Sequence, residues 1–293
     1  MESIIRIKDL TKIYRLGGEK VVALDHINLE IARGQICCIL GTSGSGKSTL
    51  LNQLAGLEKP TRGGVYIGKT NISKLNENQL AVFRQKHLGF VFQSYNLMAS
   101  MTALENVSMP LMFKGVSKAK REKSARKLLG MVGLKDRADH RPTQMSGGQQ
   151  QRVGIARAFI SKPAIVFADE PTGNLDTKTT REVMELMVRM ARKYNQTIVL
   201  VTHDVSMADY ADRVITLVDG KIVEDCPGRA ILDYPPGQQE QPPQGQDPGQ
   251  EEEAPAPQHP KEESPPQEQP PDPQPGDAQQ THSTEQPQQL VKA

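Results

Sequence analysis

Apolar and polar positions along this chain fall into two alternating rhythms. Unbroken apolar runs at Ile36-Cys37-Cys38-Ile39-Leu40, Ala164-Ile165-Val166-Phe167-Ala168 and Thr197-Ile198-Val199-Leu200-Val201-Thr202 read as strands buried on both faces, as in a parallel sheet. His87-Leu88-Gly89-Phe90-Val91-Phe92-Gln93 reads as a further strand that stops at a glutamine. Helical periods stand between these runs. Leu50, Leu54 and Leu57 mark one face of a helix ended by Gly56 and Pro60, and Val183, Leu186, Met187 and Met190 mark another, with Glu185 and Arg189 paired four apart. From about Ser94 to Ser161 the chain is helical in character and rich in Met, Lys and Arg, with turns at Gly115, Gly133 and Pro142.

The first quarter follows a different pattern. Ile4-Ile5-Arg6-Ile7 and Val21-Val22-Ala23-Leu24 predict short strands around Gly17-Gly18, and Ile27-Asn28-Leu29-Glu30-Ile31 alternates as a half-buried strand. Gly63 to Gly68 predicts an edge hairpin. Val214 to Val218 and Ile222-Val223 flank Asp219-Gly220, a hairpin signal. Strands alternating with helices, preceded by antiparallel strands, predict a mixed α/β core with a helical insert.

Composition divides the chain in two. The totals, 36 Lys+Arg against 34 Asp+Glu, look neutral, yet the stretch from Tyr234 holds about eleven acids and about two bases, with about fifteen of the 21 prolines. Such a segment cannot bury enough apolar surface to offset its ordering entropy, so residues 234–293 are expected to be a disordered tail. Its PxxP-like pieces, Pro257 to Pro260 and Pro270 to Pro273, suit either a groove on a partner or simple solvation, and the sequence identifies no partner for them. The body before it is net basic, which suits a nucleotide, an anionic membrane surface or nucleic acid. No apolar run approaches the roughly 18 residues of a membrane span, and Met1-Glu2-Ser3 opens no signal peptide, so a soluble or peripheral protein is expected. Three cysteines fit no disulfide framework, and Cys37 and Cys38, neighbours on a strand, point to opposite faces.

The chemistry concentrates at the ends of the buried runs. After Leu40 comes Gly41-Thr42-Ser43-Gly44-Ser45-Gly46-Lys47-Ser48-Thr49, reading G-x-x-x-x-G-K-S between a strand and a helix. Its backbone N–H groups can cradle phosphates at a helix N-terminus, Lys47 can reach the β- and γ-phosphates, and Ser48 offers a hydroxyl to Mg²⁺. Asp169 and Glu170 follow a buried strand, placed for a metal and for a water in line with a γ-phosphate; a solvated strand end is the plainer reading. Ser146-Gly147-Gly148-Gln149 opens a helix, where it is either a second anion-binding turn or a capping turn. His203 follows the strand at Ile198 to Val201, with Asp204 behind it as a possible cap. Lys118, Lys120, Arg121, Lys123, Arg126 and Lys127 crowd one helix as a solvated face or a lipid-facing one, and without interleaved aromatics nucleic acid is not expected.

The order of these pieces, GTSGSGKST, FQ, MSGGQ, FADE, GNLD and TH, resembles the ATP-binding subunits of the ATP-binding cassette (ABC) superfamily, over about Met1 to Cys226. The resemblance implies a P-loop NTPase (RecA-like) core with an antiparallel β subdomain and a helical subdomain at about 94–161, residues 1–233 forming one nucleotide-binding domain. It implies that Tyr14 stacks on adenine, that Gly41 to Thr49 is Walker A, and that Gln93, with Ser48 and Asp169, attends Mg²⁺ or the attacking water. Glu170 would be the catalytic base and His203 the switch histidine on the γ-phosphate. Ser146, Gly147, Gly148 and Gln149 would be the signature, and Asp176 the D-loop aspartate. Met145 stands where leucine is usual, and the D-loop reads GNLD rather than SALD. ADEPTGNLD, GFVFQSYNL, TALENV and MSGGQQQRVGIARA are similar to the branch of lipoprotein release, macrolide export and antimicrobial-peptide export, which also holds a cell-division ATPase.

The family pattern implies further that one Walker A and one signature per chain make two sites in a head-to-tail homodimer. Its partners would be separate transmembrane permease subunits, received near Tyr95, Leu97, Met98, Met101, Met109, Met112 and Phe113, at the cytoplasmic face of the membrane. The expected function is an ATPase coupling dimerisation to transport. The alternative is a signalling ATPase that moves a membrane partner without transport; DNA-repair relatives carry long insertions that this chain lacks. The cargo leaves no trace in the sequence.

Overall fold

The computed structural model describes residues 2–228; the tail expected from 234 lies outside the described residues. The body holds two sheets. A four-stranded antiparallel sheet has the order β2-β1-β4-β5, from β1 (Ser3–Leu16), β2 (Glu19–Ala32), β4 (Arg62–Ile67) and β5 (Thr70–Asn71). A six-stranded sheet has the order β10-β9-β3-β8-β7-β6, from β3 (Ile36–Leu40), β6 (Leu88–Phe92), β7 (Ile165–Asp169), β8 (Thr197–Thr202), β9 (Arg213–Val218) and β10 (Lys221–Pro227). β3, β6, β7, β8 and β9 run parallel to their sheet neighbours, and β10 closes the edge antiparallel to β9. Asp219 and Gly220 both take positive φ, 46° and 73°, the type I′ geometry that the hairpin signal predicted.

The period of two decides which core each strand residue joins. Cys37, Ile39, Ile165, Phe167, Val199 and Val201 pack with the antiparallel sheet and helix α1 (Lys47–Leu54). Ile36, Cys38, Leu40, Val166, Ala168, Ile198 and Leu200 face the other core, with α3 (Ala103–Phe113), α4 (Lys118–Met131), α5 (Gly147–Phe159) and α6 (Thr177–Tyr194). Cys37 and Cys38 thus belong to different cores, and all three thiols are free. Burial pushes the Cys38 thiol up to about 12 and Cys37 higher still, so both are inert. On α6, Val183, Leu186, Met187 and Met190 are buried, and Arg189 reaches Glu185 at 3.2 Å.

Three local expectations need correction. Val21–Leu24 and Ile27–Ile31 are one strand, because Asp25-His26 is an irregularity within β2, where His26 takes φ 52° and pairing with β1 continues on both sides. Leu57 does not extend the apolar face of α1: the helix ends at Leu54, Gly56 turns at φ 62°, and Leu57 is half exposed. His87 ends a helix, α2 (Glu77–His87), rather than beginning β6. That helix escaped the apolar pattern because Leu80 is its sole buried residue; its signal is the capping box, where Asn76 accepts from the Gln79 N–H and Gln79 accepts from the Asn76 N–H, each at 2.9 Å.

Candidate nucleotide site

Parallel strands present their C-terminal ends together, and the chemistry collects there. The β3–α1 turn holds Gly41 to Ser48 against β9 and the Asp219-Gly220 turn. Gly220 donates its N–H to the Ser45 carbonyl at 3.0 Å and accepts from the Asp25 N–H at 2.9 Å, so the hairpin turn buttresses the loop from behind. Gly46 caps α1 in the left-handed region at φ 99°, and a Cβ there would lie 2.5 Å from the Ala23 carbonyl oxygen. Lys47 is buried, its ammonium donating to the Thr42 carbonyl at 2.6 Å. The buried Ser45 hydroxyl has no hydrogen-bond partner among the described residues.

β7 ends at Asp169, half-buried beside Lys47. Burial pushes its carboxyl above the ordinary range, the neighbouring Glu170 adds to this, and Lys47 opposes it. Glu170 takes φ 42°, a conformation unusual for a side-chain-bearing residue, and its N–H donates to the Val201 carbonyl at 2.9 Å. That turn brings Glu170 Oε1 within 2.8 Å of His203 Nδ1, just past the end of β8. A cleft of about 1180 Å³ is lined by Gly41, Thr42, Ser43, Gly44, Gly46, Lys47, Ser48 and Thr49 together with Glu170 and His203. Val21, Val22 and Ala23 of β2, Val205, and Thr216, Val218, Asp219 and Gly220 with Glu224 complete its wall. The sequence marks some of these residues as strand and hairpin but not as part of the site, because hydrogen bonds among residues 25, 45 and 220 leave no local signal.

The other expected residues stand apart from this wall. Gln93 follows Phe92, the register partner of Asp169, and its carbonyl accepts from Asn174 Nδ2 at 3.1 Å. Ser146 and Gln149 form a reciprocal capping box on α5: Gln149 N–H donates to Ser146 Oγ at 3.4 Å and Ser146 N–H to Gln149 Oε1 at 3.1 Å. Asp176 caps α6, accepting from the Thr179 N–H at 3.0 Å and its hydroxyl at 2.6 Å, which holds the Asp176 carboxyl below its ordinary range. Tyr14 pairs with Val21 across the β1–β2 hairpin, and its hydroxyl donates to Glu58 Oε2 at 2.7 Å. In one chain, therefore, the phosphate loop, Glu170 and His203 meet, whereas the MSGGQ turn presents its glycines elsewhere.

A family profile described as ABC transporter matches residues 24–173. An ABC transporter ATP-binding protein of Methanocaldococcus jannaschii is 50% identical over 221 residues, 75% of this chain and 98% of the relative. The chain belongs to the ABC transporter family. The cassette is also 47% identical over 225 residues to the lipoprotein-releasing system ATP-binding protein LolD of Geobacter metallireducens, covering 77% of this chain and all of that one. It is 45% identical over 222 residues, 76% of this chain, to the macrolide export ATP-binding/permease protein MacB of Vibrio parahaemolyticus, of which it spans only 34%. Among solved structures, a dimeric post-hydrolysis state of the cassette MJ0796 bound to ADP and Pi is 43% identical, with a TM-score of 0.71 over 76% of this chain and 98% of that one. The resemblance to this branch and the P-loop fold therefore hold, and the cassette is an ABC ATPase.

A second hollow of the cassette, about 340 Å³, opens between α2, β6, α3 and α5. Leu57, Phe90, Phe92, Met109, Pro110 and Phe113 line it, beside Arg157. None of Tyr95, Leu97, Met98, Met101, Met109, Met112 and Phe113 is buried; Phe113 is 65% exposed. On the basic helix α4, Lys118, Lys120, Lys123, Arg126 and Lys127 are exposed, with Lys118 near Glu122 at 3.8 Å and Arg126 near Asp139 at 3.3 Å. No helix among the described residues is long and apolar enough to cross a membrane.

Proposed function

We propose that the cassette hydrolyses ATP at two sites shared by a head-to-tail homodimer, and that closing and reopening of this dimer moves separate permease subunits at the cytoplasmic face of the membrane. One observation carries this reading: Walker A, Glu170 and His203 line one cleft, while Ser146 to Gln149 sit on the N-terminus of another helix and leave that cleft open on one side. A second copy turned head to tail supplies the missing wall, and the MJ0796 cassette is a dimer.

In this reading Tyr14 holds the adenine, and Gly41 to Thr49 hold the phosphates, with Lys47 exchanging its Thr42 carbonyl for phosphate oxygens. Ser48, Gln93 and Asp169 offer a hydroxyl, an amide oxygen and a carboxylate. That hard, all-oxygen, low-charge set fits Mg²⁺, which takes one or two protein carboxylates and completes its shell with phosphates and water. When bound, Mg²⁺ supplies charge neutralisation at the phosphates. Glu170 takes the proton of the attacking water through one carboxylate oxygen. His203, paired to that carboxylate, fixes its orientation and turns its other ring nitrogen toward the γ-phosphate. Ser146, Gly147, Gly148 and Gln149, with Asp176, act on the partner's nucleotide through a helix N-terminus.

The hollow beside Phe113 receives the permease. Its apolar lining and the adaptable methionines around it suit a short amphipathic helix. The whole of residues 1–233 works as one nucleotide-binding domain in this account, with the helical part at 94–161 bearing the signature.

Steady-state hydrolysis tests the shared-site reading. The rate should rise sigmoidally with ATP, with a Hill coefficient approaching two, and Glu170→Gln should lower kcat about 10²–10⁴-fold without abolishing ATP binding. A hyperbolic curve, with activity that survives Glu170→Gln, contradicts it.

A further inference from the structure

We propose that Glu58 is a positioning residue for the adenine base: it fixes the Tyr14 ring and ties it to the helix that carries the phosphate loop. The inference rests on the assignment of Tyr14 to the base made above.

The cluster begins with geometry. Tyr14 sits near the tip of β1, where a hairpin side chain ordinarily samples several rotamers. Here its hydroxyl donates to Glu58 Oε2 at 2.7 Å. The same oxygen lies 3.1 Å from the Lys12 ammonium, and Glu58 Oε1 accepts from Asn52 Nδ2 at 3.1 Å. Both oxygens of the carboxylate are thus engaged, from three sides. Lys12 also donates to the Lys59 carbonyl at 2.9 Å and stands 5.0 Å from the centroid of the Tyr14 ring. Two further bonds pin the same loop to β1: Thr61 N–H to the Thr11 carbonyl at 2.9 Å, and Ile13 N–H to Thr61 Oγ1 at 3.0 Å. Burial alone would raise the Glu58 carboxyl, but the bonds from Tyr14, Lys12 and Asn52 outweigh it and hold the group below its ordinary range. It is therefore a charged, strong acceptor at neutral pH.

Position makes the cluster more than a surface ion pair. Asn52 lies one helical turn beyond Ser48 on α1, and the Leu57 N–H donates to the Asn52 carbonyl at 2.9 Å. Tyr14 pairs with Val21, whose neighbours Val22 and Ala23 line the cleft with it. The chain Tyr14–Glu58–Asn52–α1 thus connects a residue of the base end to the helix of the phosphate end. Removing Glu58 takes away the charged anchor of the Tyr14 hydroxyl, leaving it only the weaker bond with the Thr49 side chain, and leaves Gly41 to Ser48 intact. The expected signature is a loss of base affinity without a loss of phosphate affinity.

Calorimetric binding of ATP and of inorganic tripolyphosphate, both with Mg²⁺, to the full chain and to Glu58→Gln, Tyr14→Phe, the double variant and Tyr14→Ala tests this. Loss of a charge-assisted hydrogen bond should weaken ATP about fivefold in Glu58→Gln and in Tyr14→Phe, with no further loss in the double variant. Tripolyphosphate affinity and melting temperature should stay within about twofold and a few degrees of the parent. An unchanged or tightened ATP affinity in Glu58→Gln, while Tyr14→Ala weakens ATP alone, overturns the positioning role and leaves Tyr14 with the base. Equal weakening of both ligands overturns it too, as general damage to the fold. If Tyr14→Ala leaves the ratio of ATP to tripolyphosphate affinity unchanged, the assignment of Tyr14 itself falls, and the inference with it.

Discussion

Glu170 and Gly148 show how single residues constrain this cassette. Glu170 holds a left-handed backbone at the end of β7, a conformation that costs about 1–3 kcal/mol in a residue with a Cβ. The bond from its N–H to Val201 and the contact with His203 stabilise that turn, and together they aim the carboxylate into the cleft. Gly148 is constrained by space instead: a Cβ there would lie 2.5 Å from Thr179 Cγ2, at the N-terminus of α6. Gly148→Ala should therefore push the signature turn away from the D-loop, costing about 1–3 kcal/mol of stability and most of the hydrolysis. Nucleotide binding to the isolated chain should be spared. Thr179→Ser removes the offending methyl and keeps the hydroxyl that Asp176 accepts from, so the double variant should regain activity. Parallel assays of hydrolysis and of nucleotide binding decide this, and a double variant as slow as Gly148→Ala refutes it.

At the scale of elements, apolar runs and caps carried much of the fold. The strands β3, β7 and β8 were legible because both of their faces are buried, and α6 because one face is. The long hairpin β1–β2 was read as separate pieces, since the irregularity at Asp25-His26 interrupts the alternation while tertiary pairing carries the strand through it. α2 was missed because it rests on the body through Leu80 and leaves most of its surface in water. The phosphate loop, Asp169, Glu170 and His203 could be placed because each ends a strand. The back wall of the cleft could not, because Asp25 and Gly220 act through contacts between distant segments. The capping reading of MSGGQ, open in the sequence, is the observed geometry of the single chain, and it leaves the glycine N–H groups at the helix N-terminus. The hollow between α2, β6, α3 and α5 carries its own prediction. Phe113→Asp puts a charge on its rim, so it should abolish stimulation of ATPase by reconstituted permease while basal hydrolysis changes less than twofold. Full stimulation in that variant removes the hollow as the docking place.

At the scale of the whole molecule, the motifs of one chain stand apart. Each chain carries a phosphate cradle with its base and histidine on one side, and a signature turn with Asp176 on another, and no single chain can close them on the same nucleotide. In the proposed cycle two ATP molecules act as the adhesive of the dimer, and hydrolysis dissolves it. In that cycle Glu170 would set the lifetime of the closed state, and the groove beside Phe113 would pass the motion to the membrane subunits. The most direct measurement is multi-angle light scattering of Glu170→Gln at saturating ATP and Mg²⁺, with the nucleotide content of the peak determined. The account predicts a species of twice the 32.3 kDa chain holding two ATP, returning to one chain when nucleotide is removed. A variant that binds ATP and remains at the mass of one chain contradicts it.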